Sequence, residues 1–221
     1  VGGLASHTDR FGRSSTYEYD AQGQLTSIED TLGNSTGITY DLNGNVLSNI
    51  DALGNTISYS YDDFNRQTSI TNGNRGTVSY AYDLVGNLTE LTDPLGNETV
   101  VIYDDLNRPI AEINELGSTR DFTYDESSNL SSITDRNGRI TTFEYDSLNR
   151  LIAERWIDEG NVIYEANFAY GPDGDLLTAR DSYSSYTYDY DAPGRVTSVD
   201  INGILDMSDI ILTQDYDNAG R

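Results

Sequence analysis

The chain has 221 residues with 13 Lys or Arg, 37 Asp or Glu, one His and no Cys, and its formal net charge is −24 at pH 7. This composition excludes a disulfide framework or a Cys-based zinc site, and it argues against a nucleic-acid-binding surface, which needs clustered Lys and Arg. With 36% hydrophobic and 10% aromatic residues, it indicates a folded, very acidic protein, and no apolar run approaches the roughly 18 residues of a membrane-spanning helix.

The dipeptide Tyr-Asp recurs at a spacing of 21 residues, which is the first sign of a repeat architecture. Later copies, at Tyr170, Tyr190 and Tyr216, are less evenly spaced. Such a period predicts structural units that each rest on their neighbours. The tyrosines in strict register are Tyr19, Tyr40, Tyr61, Tyr82, Tyr103, Tyr124 and Tyr145.

An Asp-x-x-Gly or Asp-x-x-Asn motif recurs every 10 or 11 residues and predicts tight turns. Asp at the first position of a type I turn accepts hydrogen bonds from backbone amides two residues on. Gly or Asn at the fourth position tolerates the positive φ of a hairpin loop closed by a bulge. Ser128 takes that position once, and we expect a distorted turn there. The turn glycines of the second motif in each repeat include Gly33, Gly54, Gly96 and Gly138.

Apolar and polar residues alternate between the turns, as in Tyr17-Glu18-Tyr19 and Tyr59-Ser60-Tyr61. Period 2 predicts half-buried antiparallel strands, and a second strand begins after each turn, for example at Leu25 or Val46. Each repeat therefore contains two strands and two turns, about 20 strands in all. The predicted fold is all-β, an antiparallel β-hairpin repeat array. Open sheets rarely exceed ~10 strands without curling, so we expect a spiral or curved, shell-like sheet.

The tyrosines in register have two interpretations. They form a packed core ladder, or they form an aromatic stripe that binds carbohydrate. The core ladder predicts that Tyr61→Ala or Tyr82→Ala costs about 3–5 kcal/mol, as for other large aromatic truncations.

The spacing divides the chain into three stretches of one continuous array. Residues 1–11 lead in, residues 12–150 hold the regular repeats, and residues 151–221 hold longer, irregular repeats. The last stretch includes Trp156, the segment 158–160 and the segment 204–212. Longer loops on a repeat scaffold are where binding or assembly contacts accumulate; the alternative is that these repeats have drifted without a task.

No catalytic constellation is evident in the sequence. His7 is the only histidine and precedes the regular repeats, and no Gly-x-Ser-x-Gly motif is present. Without a second His or a Cys, nucleophilic triads are nearly excluded. We therefore expect no enzyme and no cofactor.

Calcium is the one cofactor that the motifs leave open. Asp41, Asn43 and Asn45 bring hard oxygen ligands close together, as do Asp173 and Asp175. Neither group fits an EF-hand loop, which needs Gly at its sixth position and Glu at its twelfth. These residues either make turns only or bind calcium weakly.

Arg follows the turn Gly or Asn repeatedly, and we expect it to pair with the turn Asp and so to form ladders of charge along the sheet. Exposed ion pairs of this kind contribute about 0–1 kcal/mol each. The residues concerned are Arg13, Arg66, Arg108, Arg139, Arg150, Arg195 and Arg221.

The repeats resemble the Rhs or YD repeat, whose pattern is Tyr-Asp-x-x-Gly-(Arg/Asn)-Leu. The segments 82–88 (YDLVGNL), 145–151 (YDSLNRL) and 190–196 (YDAPGRV) carry the resemblance best. It implies a β-hairpin spiral of the kind that builds hollow cocoons around toxin domains in bacterial Rhs toxins and insecticidal toxin complexes, with related shells in the teneurins. The repeats of this family act as scaffolds. The segment 93–96 (DPLG) is similar to the motif by which the bacterial shells cut off their toxin, but it occupies an ordinary turn, and we assign it no proteolytic role.

Two functions are consistent with the resemblance. The first is a non-catalytic wall segment of a secreted or surface Rhs-type shell that encapsulates or presents a toxin or other cargo. The alternative is an extracellular filament or adhesive polymer in which identical subunits stack end to end. The array begins and ends within a repeat, so we expect a fragment or a subunit that continues into a neighbour. The expected partners are further YD repeats or identical subunits and an enclosed cargo, without nucleic acid, and the expected location is extracellular or at the cell surface.

Overall fold

The structure, a computed structural model, describes residue 3 and residues 5–74, 76–203 and 210–217. All regular elements in these ranges are β-strands, 20 in number. The chain comprises two compact units: residues 1–108 with 113–117, and residues 109–112 with 118–221.

The first unit contains strands that each run antiparallel to the next. They are β1 (Ser6–Thr8), β2 (Ser14–Tyr19), β3 (Leu25–Glu29), β4 (Ser35–Tyr40), β5 (Val46–Ile50), β6 (Thr56–Tyr61), β7 (Gln67–Thr71), β8 (Thr77–Tyr82), β9 (Leu88–Thr92) and β10 (Glu98–Tyr103).

Strand β11 (Pro109–Ile113) contributes residues to both units. The strands that follow in the second unit also pair antiparallel in chain order. They are β12 (Thr119–Tyr124), β13 (Leu130–Thr134), β14 (Ile140–Tyr145), β15 (Leu151–Asp158), β16 (Asn161–Tyr170), β17 (Leu176–Asp181), β18 (Ser185–Tyr190), β19 (Val196–Asn202) and β20 (Ile210–Thr213). The prediction of an all-β, antiparallel hairpin-repeat fold is confirmed.

Two kinds of strand pairing alternate in the regular repeats. Strands joined by a Tyr-Asp turn pair along their length, as β4 and β5 do from Gly37↔Ile50 to Tyr40↔Val46, with a bulge beside the tyrosine. Strands joined by the other turn, such as β5 and β6, pair only from Ser48↔Ser58 to Ile50↔Thr56. We call the edge with the Tyr-Asp turns the tyrosine edge and the opposite one the far edge. The backbone pairing between consecutive hairpins is therefore confined to the strand ends near the far edge and stops before the tyrosine edge.

The turns have the geometry that their sequence predicts. In the turn at Asp30, the N–H of Gly33 donates to the carbonyl of Asp30 at 3.0 Å, and Gly33 has φ 80. The expectation of a distorted turn at Ser128 is wrong, because Ser128 takes φ 68 and donates its N–H to the carbonyl of Asp125 at 3.0 Å like its counterparts. The corresponding positive-φ residues elsewhere include Gly54, Gly96, Gly138, Asn65, Asn107 and Asn149.

The two faces of the hairpins differ in chemistry. Tyr59 pairs with Ile70, and Tyr61 lies on the same face two residues on. The opposite face carries small hydroxyl side chains, such as those of Thr39 and Ser48, whose oxygens lie 2.7 Å apart. Among the described residues, the only buried hydrophobic side chains are Ala153 and Ala166, and the tyrosines in register are half-buried or exposed. The tyrosines thus lie along a sheet face, and the described residues form no closed core behind them.

The extra residues of the first irregular repeat lengthen strands, which corrects the expectation of a longer loop there. Strands β15 and β16 have 8 and 10 residues, against 5 or 6 in the regular repeats. Glu159 and Gly160 form the connection, with φ 48 and 80, as in a two-residue hairpin turn with positive φ at both positions. The segment 204–209 of the last repeat lies outside the described residues.

Candidate functional site

The carboxylate of the turn Asp holds each turn together. In the turn at Asp41, Oδ1 accepts the N–H groups of Asn43 at 2.9 Å and Asn45 at 2.8 Å, and Oδ2 accepts Nδ2 of Asn45 at 2.8 Å. In the turn at Asp62, Nε of Arg66 replaces the amide and donates to Oδ2 at 2.7 Å. The fifth residue of the turn, Asn or Arg, thus closes the turn with both its backbone and its side chain.

The predicted pairing of Arg with the turn Asp is found in every case that the structure describes. These ion pairs lie within one turn, so they form no ladder of charges between repeats. Arg221 lies outside the described residues. The pairs are Arg13–Asp9, Arg66–Asp62, Arg108–Asp104, Arg139–Asp135, Arg150–Asp146 and Arg195–Asp191.

The fifth residues also link one turn to the next along the tyrosine edge. Nδ2 of Asn45 donates to Oδ1 of Asn65 at 2.7 Å, and Asn87 makes the same bond to Asn107 at 2.9 Å. Nη1 of Arg66 donates to the carbonyl of the next turn Asp at 2.8 Å. In the second unit, Asn129 bonds Asn149 at 2.9 Å, and Arg150 bonds the carbonyl of Gly171 at 3.1 Å.

Sequence reasoning missed these links. The fifth residue alternates between Asn (45, 87, 129) and Arg (66, 108, 150), so this contact pattern has a period of 42 residues. In the turns of Arg66, Arg108 and Arg150, the Asn at the positive-φ position is therefore also the acceptor for the preceding turn. This alternation is the signal that could have found the links.

The tyrosine hydroxyl closes the gap where the backbone pairing between hairpins has stopped. Tyr82, at the end of β8, donates to the carbonyl of Gln67, the first residue of β7, at 2.9 Å. The guanidinium of Arg66 lies 4.8 Å from the centre of the Tyr82 ring, a cation–π geometry. Equivalent hydroxyl–carbonyl bonds are Tyr40–Leu25, Tyr61–Val46, Tyr103–Leu88, Tyr124–Pro109, Tyr145–Leu130, Tyr170–Leu151, Tyr190–Leu176 and Tyr216–Val196.

The hydrogen bonds within the turns favour the ionised form of the turn carboxylates. The side-chain bond from Asn45 is the largest cause that lowers the pKa of Asp41 below its ordinary value of 3.8. The side-chain and backbone bonds from Arg150 lower the pKa of Asp146 in the same way. The other turn carboxylates with a lowered pKa are Asp9, Asp30, Asp51, Asp62, Asp83, Asp93, Asp104, Asp135, Asp181 and Asp191.

The residues that we considered for calcium lie within turns. Asp41, Asn43 and Asn45 belong to one turn, where N–H donors occupy the carboxylate. Asp173 and Asp175 line an open groove of about 560 Å³. Within the described ranges, no three His, Asp or Glu side chains are grouped as a metal site would require. Calcium binding by these residues stays a prediction, as does the choice between packing and sugar binding for the tyrosines.

These contacts define a class of protein, a repeat-built β scaffold in which regular spacing, turn carboxylates and tyrosine hydroxyls hold successive hairpins in register. Residues 5–164 match the family described as teneurin YD-shell. The chain therefore belongs to the teneurin YD-shell family, and the resemblance to the YD repeat is confirmed.

Solved structures share the fold at low sequence identity. The crystal structure of TcdB2-TccC3-TEV matches at 15% identity and a TM-score of 0.52, and that of TcdB2-TccC3-Cdc42 at 15% identity and 0.51. In both, the match covers 84% of this chain and 14% of the other chain. The chain thus spans about one seventh of those proteins. No curated protein matches it.

Removal of the Tyr82 hydroxyl tests the link between hairpins. We expect Tyr82→Phe to lower the free energy of unfolding by about 0.5–1.5 kcal/mol, because the bond to Gln67 is lost. Tyr80→Phe serves as the control. Tyr80 lies two residues before Tyr82 in β8, its hydroxyl has no hydrogen-bond partner among the described residues, and the substitution should have little effect. Because Tyr82 is half-buried, Tyr82→Ala should cost about 1.5–3 kcal/mol, less than a core ladder predicts. Urea unfolding measures all three, and equal losses for the two Phe variants would contradict the link.

The bond between Asn87 and Asn107 predicts an energetic coupling between adjacent turns. Asn107→Gly removes the acceptor and keeps a residue that tolerates φ 60. In a double-mutant cycle with Asn87→Ala, we expect a coupling of about 0.5–1.5 kcal/mol. The pair Asn107→Gly and Asn34→Ala, which shares no contact, should be additive. A coupling of zero in the first cycle would show that the turns are independent.

The lowered carboxyl pKa values predict acid sensitivity with a definite sign. A group whose pKa is depressed by folding stabilises the folded state above its unfolded value, here 3.8, and that contribution is lost as the pH falls through the folded value. We expect the urea midpoint to fall over this window when it is measured from about pH 6 to about pH 2.

Asp41→Asn is the matched control for this titration. An Asn can keep the backbone bonds, as Asn72 shows by accepting the N–H of Gly76 at 2.9 Å. The variant should take up fewer protons on unfolding, so its stability should depend less steeply on pH. A midpoint that stays constant or rises below pH 3.8 would contradict the role of the carboxylates.

Proposed function

We propose that this chain is a non-catalytic wall segment of a secreted or surface shell that encloses or presents a toxin or other protein cargo. The observation that carries the proposal is the YD-shell match over residues 5–164. The contacts of the turn carboxylates and the tyrosine hydroxyls agree with a structural role, because these groups bond within the turns and between the hairpins.

The single histidine and the hydroxyl residues support a non-catalytic role. His7 is exposed on β1. The hydroxyls of Thr71 and Thr77, 2.8 Å apart, contact each other on the face opposite the tyrosines. This pair stabilises neighbouring strands, and its two hydroxyls bond to each other and not to a general base that could activate a nucleophile.

Exposed apolar residues at the turns favour a larger wall. In the first unit, each edge has a column of large side chains at the turn tips, and each of these side chains is at least 65% exposed. Soluble proteins keep such patches small unless another surface covers them. Adjoining repeats of the same shell would cover them. The far-edge residues are Phe11, Leu32, Leu53, Leu95 and Leu116, and the tyrosine-edge residues are Leu42, Phe64, Leu84, Val85 and Leu106.

Location and partners follow from the same proposal. The partners are further YD repeats and the enclosed cargo, and the assembly is extracellular or at the cell surface. No helix in the described part of the chain is long and apolar enough to cross a membrane. Weak calcium binding at the acidic turns is compatible with this location, where millimolar calcium suits low-affinity sites.

Electron microscopy of the native gene product that carries this chain tests the proposal. We expect hollow particles, and we expect a segment of the same product to resist proteinase K until the particles are denatured. Solid fibres with end-to-end subunits would support the filament instead. Particles without a cavity, or cargo cut as fast as in the denatured state, would overturn the proposal.

Matched variants separate the exposed edges from general charge effects. Leu53→Asp with Leu95→Asp should open the particles and expose the cargo, because two charges enter the covered edge. Ser58→Asp with Ser60→Asp adds the same charge to an exposed strand face and should leave the particles closed. Equal effects of the two pairs would show that the apolar edges are not covered.

A further inference from the structure

The lengthened hairpin of β15 and β16 lines a cavity together with residues of β12, β13 and β14. Its volume is about 280 Å³, and its apolar walls come from Ile133, Ile140, Trp156, Ile157 and Ile163. All of these residues belong to the second unit. Ile157 and Ile163 are present at this cavity because β15 and β16 continue beyond the length of a regular strand.

Trp156 is the only tryptophan of the chain and forms a fixed wall of the cavity. Its Nε1–H donates to Oε1 of Glu154 at 2.6 Å, and its ring centre lies 4.5 Å from that of Tyr164. These contacts hold the indole by its polar edge and by one face. The side chain is nevertheless 45% exposed, so an apolar surface remains open to a ligand.

Two arginines and one aspartate supply the charges at this cavity. Arg139 is bound to Oδ2 of Asp135 at 2.7 Å, and Oδ1 of Asp135 accepts the N–H of Asn137 at 2.8 Å. Arg120 lies 5.5 Å from the centre of the Phe122 ring, and among the described residues it has no ion pair. The cavity therefore has one uncompensated guanidinium, although the chain as a whole has a net charge of −24.

We propose that this cavity binds a small organic carboxylate with an apolar body of about eight carbons. A guanidinium presents parallel N–H donors that match a carboxylate, which assigns the charged end of the ligand to Arg120. The isoleucines and the indole require an apolar body, since ligand pockets are mostly apolar with a few polar groups that fix orientation. A volume near the lower end of the range for ligand sites favours a free small molecule over a folded partner. This inference does not depend on the proposed shell.

Fluorescence of Trp156 in the intact chain measures binding directly, because no other tryptophan contributes. Sodium octanoate is the probe, at neutral pH and about 0.15 M ionic strength, where the field of distant acidic residues is screened within about 8 Å. We expect a saturable change with a Kd on the order of 1 mM for a ligand of ten non-hydrogen atoms. Acetate, which lacks the apolar body, and 1-octanol, which lacks the charge, should each bind at least about fivefold more weakly.

Two variants assign the site, and a third serves as control. Arg120→Gln should weaken octanoate binding at least about fivefold and abolish the preference over octanol. Ile163→Ser, at an exposed position of the hairpin, should weaken both ligands. Arg180→Gln removes an arginine outside the cavity and should change neither. Circular dichroism verifies that each variant is folded.

The outcomes separate this proposal from its competitors. No saturable response to octanoate, or equal binding to Arg120→Gln and the unaltered chain, would overturn the site. Equal affinity for octanol would overturn the assignment of the carboxylate. An N-acetylated tripeptide that ends in leucine and binds more tightly than octanoate would identify a polypeptide C terminus as the ligand and overturn the small acid.

Discussion

The bond from a tyrosine hydroxyl to the carbonyl of the preceding hairpin is the interaction on which this scaffold depends. Backbone pairing between hairpins covers three residue pairs near the far edge and then stops. At the tyrosine edge, the hydroxyl supplies a polar contact that the backbone no longer makes, for example from Tyr61 to Val46 at 3.0 Å. Because Ala153 and Ala166 are the only buried apolar residues in the described ranges, the coupling between repeats rests on such contacts, on the three backbone pairs and on half-buried side chains. Stability is then close to a sum of nearest-neighbour terms.

In several turns, the fifth residue adds a second contact between repeats, because it donates a hydrogen bond to the next turn. An Asn such as Asn87 can close its own turn and reach the next one, since an amide nitrogen has two donors. An Arg such as Arg66 does more, because its fork bonds its own Asp62, reaches a carbonyl in the next turn and stacks on Tyr82. The alternation of Asn and Arg therefore gives two kinds of contact between neighbouring turns, one from an Asn side chain and one from an Arg side chain. The same turns depend on ionised carboxylates, which links the cohesion of the array to pH.

Local sequence was sufficient for the turns and strands, since Asp, Gly and Asn each have a physical role at one turn position. It failed at Ser128, where the bonds between Asp125 and Asn129 hold the turn with a serine at the positive-φ position. Hydrophobic alternation located the tyrosine face correctly but could not show that Ala153 and Ala166 are the only buried apolar side chains among the described residues. The Asn45–Asn65 link was missed because a comparison of repeats at a spacing of 21 residues treats all Tyr-Asp turns as equivalent. The turns in fact alternate between Asn and Arg at the fifth position.

The irregular repeats are the places where this scaffold can accommodate a ligand-binding site. In a regular repeat, the turn carboxylate, the fifth side chain and the tyrosine hydroxyl are all used for cohesion, so a substitution that adapts them to a ligand weakens the array. A lengthened hairpin escapes this constraint, because its added residues extend the backbone pairing of β14, β15 and β16 and leave the turn and tyrosine contacts of the other repeats in place. Trp156 is held by Glu154 and Tyr164 of its own hairpin, and Arg120 is tied to no carboxylate among the described residues. A repeat protein of this kind therefore gains a binding site most readily by lengthening two adjacent strands, since this adds surface without altering the contacts that keep its repeats together.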